Sequence, residues 1–247
     1  MWLRQMKRFT RSKSRLVATV VQPLFFLVLL GSGFRSMISS NSLGGDYLTF
    51  LTPGIVAMSI LFSSIFTGVS VLWDKQFGFL QEVLVAPVSR FSIIIGRTLG
   101  GATTAIIQGL IILVIAVGLG VPISGPFGLL LGLVFMVLVA FTSVGFGLIL
   151  ASKMQDFQGF QIIMNLLLMP LLFISSAFYP IATNPQMPDI IKKISFFNPM
   201  FYMVDGIRGS LTGMNYYNEP LVNLVILFVM CVFMMSLGSY FFSKCEV

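Results

Sequence analysis

Long apolar runs without charge alternate with short polar connections along this chain, over residues 16–34, 47–73, 98–152, 157–180 and 220–243. A run of that kind reads as a membrane helix when it reaches about 20 residues. The run over 98–152 is too long for one crossing. It breaks at Val121-Pro122-Ile123-Ser124-Gly125-Pro126, where two prolines and a glycine predict a tight turn between antiparallel helices. The pattern predicts an all-α membrane protein with six transmembrane helices at about 16–34, 48–73, 93–120, 127–151, 157–179 and 220–242. An even number of crossings puts both termini on one side. Residues 16–247 then form a single transmembrane domain, preceded by 1–15.

Composition narrows the chemistry. Of 247 residues, 57% are hydrophobic and 9% charged, where a soluble domain carries roughly 25% charged residues. There is no His, so imidazole bases, histidine metal ligands and serine–histidine pairs are excluded. No Gly-Lys dipeptide occurs, so the phosphate-cradling GxxxxGK[ST] loop is missing. ATP and magnesium, if used, belong on another subunit. The chain itself offers no cofactor, metal or nucleic-acid site. Arg4, Lys7, Arg8, Arg11, Lys13, Arg15, Lys75, Arg90, Arg97, Lys153 and Lys244 fall on one side of the predicted spans, and Arg35, Lys192, Lys193 and Arg208 on the other. The positive-inside rule makes the termini cytoplasmic in a multi-pass protein of the cell membrane.

Residues 1–15 are amphipathic at helical spacing. Trp2, Leu3, Met6 and Phe9 share one face, while Arg4, Lys7, Arg8, Arg11 and Arg15 share the other. This predicts an interfacial helix whose cations meet anionic headgroups or an acidic partner, and it doubles as a topology signal.

Between the second and third spans, Phe77, Leu80 and Leu84 recur at i, i+3 and i+7, predicting a short amphipathic helix over about 75–87. Pro87 ends it. Ser89 is placed to cap the next span, just ahead of Arg90. A helix lying across the cytoplasmic mouth and tied to two spans can transmit a push from below.

These residues carry a resemblance. Gly78-Phe79-Leu80-Gln81-Glu82-Val83-Leu84-Val85-Ala86-Pro87-Val88-Ser89-Arg90, followed by Gly96-Arg97-Thr98-Leu99-Gly100-Gly101, resembles the signature of type 2 ABC-transporter permeases, most of all their daunorubicin-resistance branch. A second match runs from Met169 through Ser175-Ser176-Ala177-Phe178-Tyr179-Pro180 to Asn198-Pro199-Met200-Phe201-Tyr202 and Asp205-Gly206-Ile207-Arg208. Phe77-Gly78-Phe79-Leu80 is more aromatic than the family pattern, and Ser176 stands where a Gly is common. The resemblance implies a dimer of two such chains with two copies of a separate P-loop ATPase subunit beneath. It assigns Asp74, Phe77, Gly78, Leu80, Glu82, Leu84, Pro87, Ser89 and Arg90 to ATPase coupling. It also implies that the region over about 180–214, with Pro180, Asn198, Pro199, Asp205 and Arg208, forms two short re-entrant helices dipping into the outer leaflet. A folded extracellular cap is the plainer reading of the same segment.

Inside the spans the sequence offers packing rather than reactive groups. Gly96 and Gly100, Gly101 with Ala105 and Gly109, and Gly128 with Gly132 are spaced for close helix approach. Arg97 lies near a helix end and can snorkel. Gln108, Gln161 and Asn165 are candidates either for lining a transport path or for bonding helix to helix. The implied function is the permease subunit of an ATP-driven exporter of an amphipathic or lipid-linked substrate such as a drug, lipid or lipid-linked glycan. The competing class is a secondary transporter or channel working without an ATPase.

Overall fold

The computed structural model describes residues 1–11, 13–34, 46–77, 90–214 and 216–243. Its helices are α1 (Trp2–Arg11), α2 (Lys13–Gly33), α3 (Tyr47–Gln76), α4 (Arg90–Gly118), α5 (Gly125–Lys153), α6 (Phe157–Phe173), α7 (Asp189–Phe197), α8 (Pro199–Leu211) and α9 (Pro220–Ser243). No strand occurs among the described residues. Four of these helices are long and apolar enough to cross a bilayer: α3, α4 over Ser92–Gly118, α5, and α9 over Pro220–Phe242.

Helix α3 is the axis of the bundle. Its most apolar window is 83% buried, against 17% for α9. The outward faces of α2, α6 and α9 carry Val21, Phe25, Ile162, Leu166, Phe228 and Phe233, all exposed. Apolar side chains turned outward over whole helix faces suit lipid rather than water.

Small residues set the helix spacing. A Cβ on Gly68 of α3 would strike the Gly147 backbone of α5, and one on Gly147 would lie 3.1 Å from Ile65 Cα. Across the other face of α5, a Cβ on Gly145 would lie 2.9 Å from the Met234 carbonyl carbon of α9. Gly128 and Gly132 receive Ser210 and Leu211 of α8. Without a hydrophobic force between helices in lipid, such close backbone approach supplies the van der Waals contact that holds them.

Helix α1 and the C-terminal part of α9 lie at the same end of the bundle, the basal end, on either side of the Asp74–Arg97 pair. There Gln76 Nε2 donates to the Gln155 carbonyl at 3.2 Å, and the Trp73 and Phe157 rings pack at a tilt of 45° with centroids 6.0 Å apart. Lys153 Nζ lies 4.6 Å above the Phe241 ring of α9. The opposite end is capped by residues 174–188, α7 and α8.

Several boundaries differ from expectation, α4 beginning at Arg90 rather than 93 among them. Helix α2 begins at Lys13 rather than 16, and α3 runs on to Gln76 rather than stopping at 73. The fifth apolar helix, expected to reach 179, ends at Phe173. Asn198 Nδ2 donates to the Leu171 carbonyl at 2.6 Å, and Ser175 N turns to the Leu172 carbonyl instead. The chain then leaves the helix through Ser176, whose φ is +59°. At 1.5 Å per residue, α6 is about 26 Å long, short of a hydrocarbon core of about 30 Å. Residues 78–87 of the expected 75–87 helix lie outside the described residues, and Gly78, Leu80, Glu82, Leu84 and Pro87 with them, as does Ser89 beyond it.

Candidate functional site

The basal end is organised by one carboxylate. Asp74 sits in the last turn of α3 and is 7% exposed. Its Oδ2 accepts from Arg97 Nη2 of α4 at 2.6 Å, and its Oδ1 from Arg4 Nη2 of α1 at 2.7 Å. A buried carboxylate is costly unless paired and hydrogen-bonded, and here each oxygen has its own guanidinium. The Arg97 side chain is 2% exposed and its guanidinium carbon lies 5.9 Å from the Phe242 ring of α9. One ion cluster therefore touches α1, α3, α4 and α9.

Helix α1 rests in a seat made by glycine. Cβ atoms on Gly96 and Gly100 of α4 would strike Met1 and Gln5, so this spacing receives the N-terminal helix rather than another span. Trp2 Nε1 donates to Thr103 Oγ1 at 3.2 Å, and the Arg8 guanidinium lies 5.1 Å from the Trp73 ring. Arg4 and Arg8 are thus turned toward the protein. Lys7 and Arg11 line an open cleft with Leu3, Arg4, Arg8, Trp73, Asp74 and Phe77. Met6 and Phe9 are half-buried, and Phe77 is exposed.

Beneath α1 lies a polar cavity of about 60 Å³ between α1, α3 and α4. Arg4, Arg8, Asp74 and Arg97 face it at one end, Ser63, Thr67, Ser70, Thr104 and Gln108 farther in. A separate cavity of about 90 Å³ runs between α3 and α6, lined by Phe62, Phe66, Phe157, Phe160, Gln161 and Asn165. The candidate path residues are therefore divided: Gln108 faces the polar cavity, Gln161 and Asn165 the apolar one. Phe66 borders both.

The capped end holds a second polar cluster. Asn198 caps α8 by accepting from Met200 N at 2.9 Å, with Pro199 at the first helical position, where its missing N–H costs nothing. Pro180 borders a small crevice with Asp205 and Arg208. Asp205 and Arg208 are one turn apart and buried, yet their bonds run in opposite directions. Asp205 accepts from Tyr217 N at 2.8 Å, Asn218 N at 2.9 Å and Asn223 Nδ2 at 2.8 Å. Arg208 Nη2 donates to the Ser176 carbonyl at 2.8 Å and the Phe50 carbonyl at 3.2 Å, with its guanidinium 4.0 Å from the Phe50 ring.

Two elements of the basal site are missed by sequence reasoning. Arg97 reads as a snorkelling residue but is a buried counter-ion, and Gln5 contributes a buried amide oxygen that no pattern marks. The signal for Arg97 was available in outline: opposite charges flank one connection at matching depth on consecutive helices.

Residues 1–212 match the ABC-2 type transporter family. The chain is 30% identical over 195 residues to the transport permease ycf38 of Cyanophora paradoxa, covering 78% of this chain and 66% of that protein. It is 27% identical over 247 residues to the protein of the same name in Porphyra purpurea, covering 95% and 83%. The inner membrane transport permease YadH of Escherichia coli (strain K12) is 25% identical over 238 residues, covering 94% and 90%. A family match over most of the chain, falling on a bundle of apolar helices, makes this protein a membrane permease of the ABC-2 type transporter family.

Proposed function

We propose that the chain is the transmembrane subunit of an ATP-driven exporter in the cell membrane, moving an amphipathic or lipid-linked substrate outward. It works as a homodimer with two copies of a separate P-loop ATPase subunit docked at the basal end, which faces the cytoplasm. The chain binds no ATP or magnesium itself. The observation that carries this reading is the position of Asp74. It stands one residue ahead of the 75–87 connection and is bonded at once to α1 and α4. A push transmitted to Asp74 reaches three helices at once, α1, α3 and α4.

In this reading α2 and α6 complete a set of six spans, with 75–87 as the coupling helix. Helices α7 and α8 form the re-entrant pair. Nearly every residue of α8 is buried although its 13 residues are too few to cross, which supports a helix dipping into the bundle. The Asp205 and Arg208 bonds satisfy polar groups at a depth where backbone must be shielded by protein. Gln161 and Asn165 in the groove beside α6, and Gln108 in the polar cavity, are the polar points of a mostly apolar path.

Purification from native membranes in mild detergent tests the assignment. A P-loop subunit is expected to copurify in equal amount, with ATPase activity that falls when Glu82 or Pro87 is substituted. A chain that purifies alone and moves solute in liposomes without ATP overturns it.

A further inference from the structure

We infer that the seam between α3 and α4 is a binding site for water deep inside the bundle, and that the Arg4–Asp74 pair is its door to the open basal cleft. The inference goes beyond the permease assignment and does not rest on the exporter reading. Ser63, Thr67, Ser70 and Asp74 recur on α3 at i, i+4, i+7 and i+11, and Arg97, Gly101, Thr104 and Gln108 recur on α4 at the same spacing. Each set therefore shares one helix face. The two faces meet in antiparallel order, since Asp74 bonds Arg97 while Cβ atoms on Gly101 and Gly109 would strike Thr67 and Ile60. Each stripe runs about 16 Å along its helix, half the depth of a hydrocarbon core of about 30 Å. Polar groups in such a place must find their partners within the protein or in a hydrated cavity.

The hydroxyls of the seam do not satisfy one another. Ser70 Oγ donates to the Thr67 carbonyl at 2.7 Å and Thr104 Oγ1 to the Gly101 carbonyl at 2.9 Å, which uses the one donor of each and leaves its lone pairs open. Ser63 and Thr67 are 7% and 6% exposed, and neither hydroxyl makes a hydrogen bond among the described residues. Both line the cavity of about 60 Å³ between α1, α3 and α4, together with Ser70, Thr104 and Gln108. Open hydroxyls call for a group that both donates and accepts, whereas an anion brings acceptors alone and a cation donors alone. Water is such a group, and the cavity has room for about two molecules, each with the two to four polar partners a buried water takes.

Arg4, Arg8 and Asp74 border both this cavity and the open cleft that holds Lys7 and Arg11, so the Arg4–Asp74 bond lies on the wall between the two. It is the releasable bond of the ion cluster. The Arg4 side chain is 40% exposed and α1 has no buried residue, while Asp74 keeps Arg97 at 2.6 Å when Arg4 swings away. Opening thus leaves no buried carboxylate unpaired.

The experiment uses the full chain in phospholipid nanodiscs and X-ray hydroxyl-radical labelling, which oxidises side chains beside bound water, read by peptide mass spectrometry. Phe66 borders the cavity, while Phe233 lies at a matching depth from the basal end of α9 and faces outward at 57% exposure. Labelling of Phe66 several-fold above Phe233 is expected. It should fall to the Phe233 level in the double variant Ser63→Ala, Thr67→Val and persist in Thr67→Ser, which keeps the hydroxyl. The double variant is also expected to unfold at a lower temperature, having lost partners of water, whereas removing unpartnered hydroxyls from a dry seam raises it. Mixing with heavy-oxygen water before exposure times the door. Arg4→Gln is expected to speed entry of the heavy label about fivefold, the most that an exposed ion pair contributes, with Arg4→Lys at the wild-type rate. Phe66 labelled no more than Phe233, or a double variant that unfolds at a higher temperature, overturns the water site. Wild-type labelling in the double variant overturns it too, by assigning the signal to the apolar cavity that Phe66 also borders. Equal entry rates in wild type and Arg4→Gln overturn the door. All of this is read without ATP or a second subunit, so its failure leaves the exporter reading standing, and the reverse also holds.

Discussion

Arg97 and Asp74 meet at 2.6 Å across the basal ends of α4 and α3, but the two are not equally dependent on each other. Asp74 keeps a second cation in Arg4, whose side chain is 40% exposed. Arg97 at 2% exposure has no second carboxylate among its bonds. Removing the carboxylate therefore strands a buried charge, which typically costs 3–5 kcal/mol. Asp74→Asn is expected to destabilise by about 3 kcal/mol or more. Arg4→Gln, at a solvent-screened position, is expected to cost no more than about 1 kcal/mol. Thermal unfolding in detergent micelles separates them, and equal losses would show that Asp74 is not the counter-ion of Arg97.

Asp205 fastens the chain between α8 and α9. Its carboxylate takes two backbone amides and the Asn223 side chain, and hydrogen bonds to charged groups contribute about 1.5–3 kcal/mol each. Asp205→Asn puts an NH₂ where one of those donors points. A loss of about 2–3 kcal/mol is expected, with faster hydrogen exchange at the Tyr217 and Asn218 amides. Exchange left unchanged at those two amides would mean that the loop is held by something else.

Ser176 occupies the left-handed region at φ +59°, which costs a residue with a Cβ about 1 kcal/mol. Its hydroxyl gives some of that back by accepting from Ile181 N at 3.2 Å. Ser176→Ala loses the bond and keeps the strain, whereas Ser176→Gly loses the bond and relieves it. Glycine is expected to exceed alanine here by about 1 kcal/mol in the same unfolding assay. The reverse order would remove the backbone explanation for a glycine preference at this position.

Much of the frame was legible because it is local. The Val121–Pro126 break appears between Gly118 and Gly125, with Gly120 and Gly125 at φ +96° and +92°, and Asn198 divides α7 from α8. Turn residues write their geometry into the sequence at the place where they act. The end of α6 was not legible, since the bond that competes for its Leu171 carbonyl comes from Asn198, 27 residues on. The seat of α1 was half legible. The Gly96 and Gly100 spacing announces a close neighbour, but nothing in a spacing says which helix that neighbour is. Arg97 was misread for a related reason: a cation near a helix end looks free to reach water until the fold closes Asp74 and Phe242 around it.

The glycines themselves can be ranked by what a methyl group would meet. On Gly68 it would strike the Gly147 backbone, and backbone can yield only by separating α3 from α5. Overpacking of this kind costs about 1–3 kcal/mol, so Gly68→Ala is expected near the upper end. On Gly96 the methyl would lie 2.8 Å from Met1 Cβ, with the next atoms at 3.7 and 3.8 Å. Met1 precedes a helix that has no buried residue, so α1 can shift by a few tenths of an ångström. Alanine also gains about 0.8–1 kcal/mol of helix propensity over glycine, which offsets that movement. Gly96→Ala is therefore expected to change stability by less than about 1 kcal/mol while altering Trp2 fluorescence, because the indole is bonded to Thr103 across the same seat. A large loss of stability in Gly96→Ala, or none in Gly68→Ala, would reverse the order of packing strength between α1 on α4 and α3 on α5.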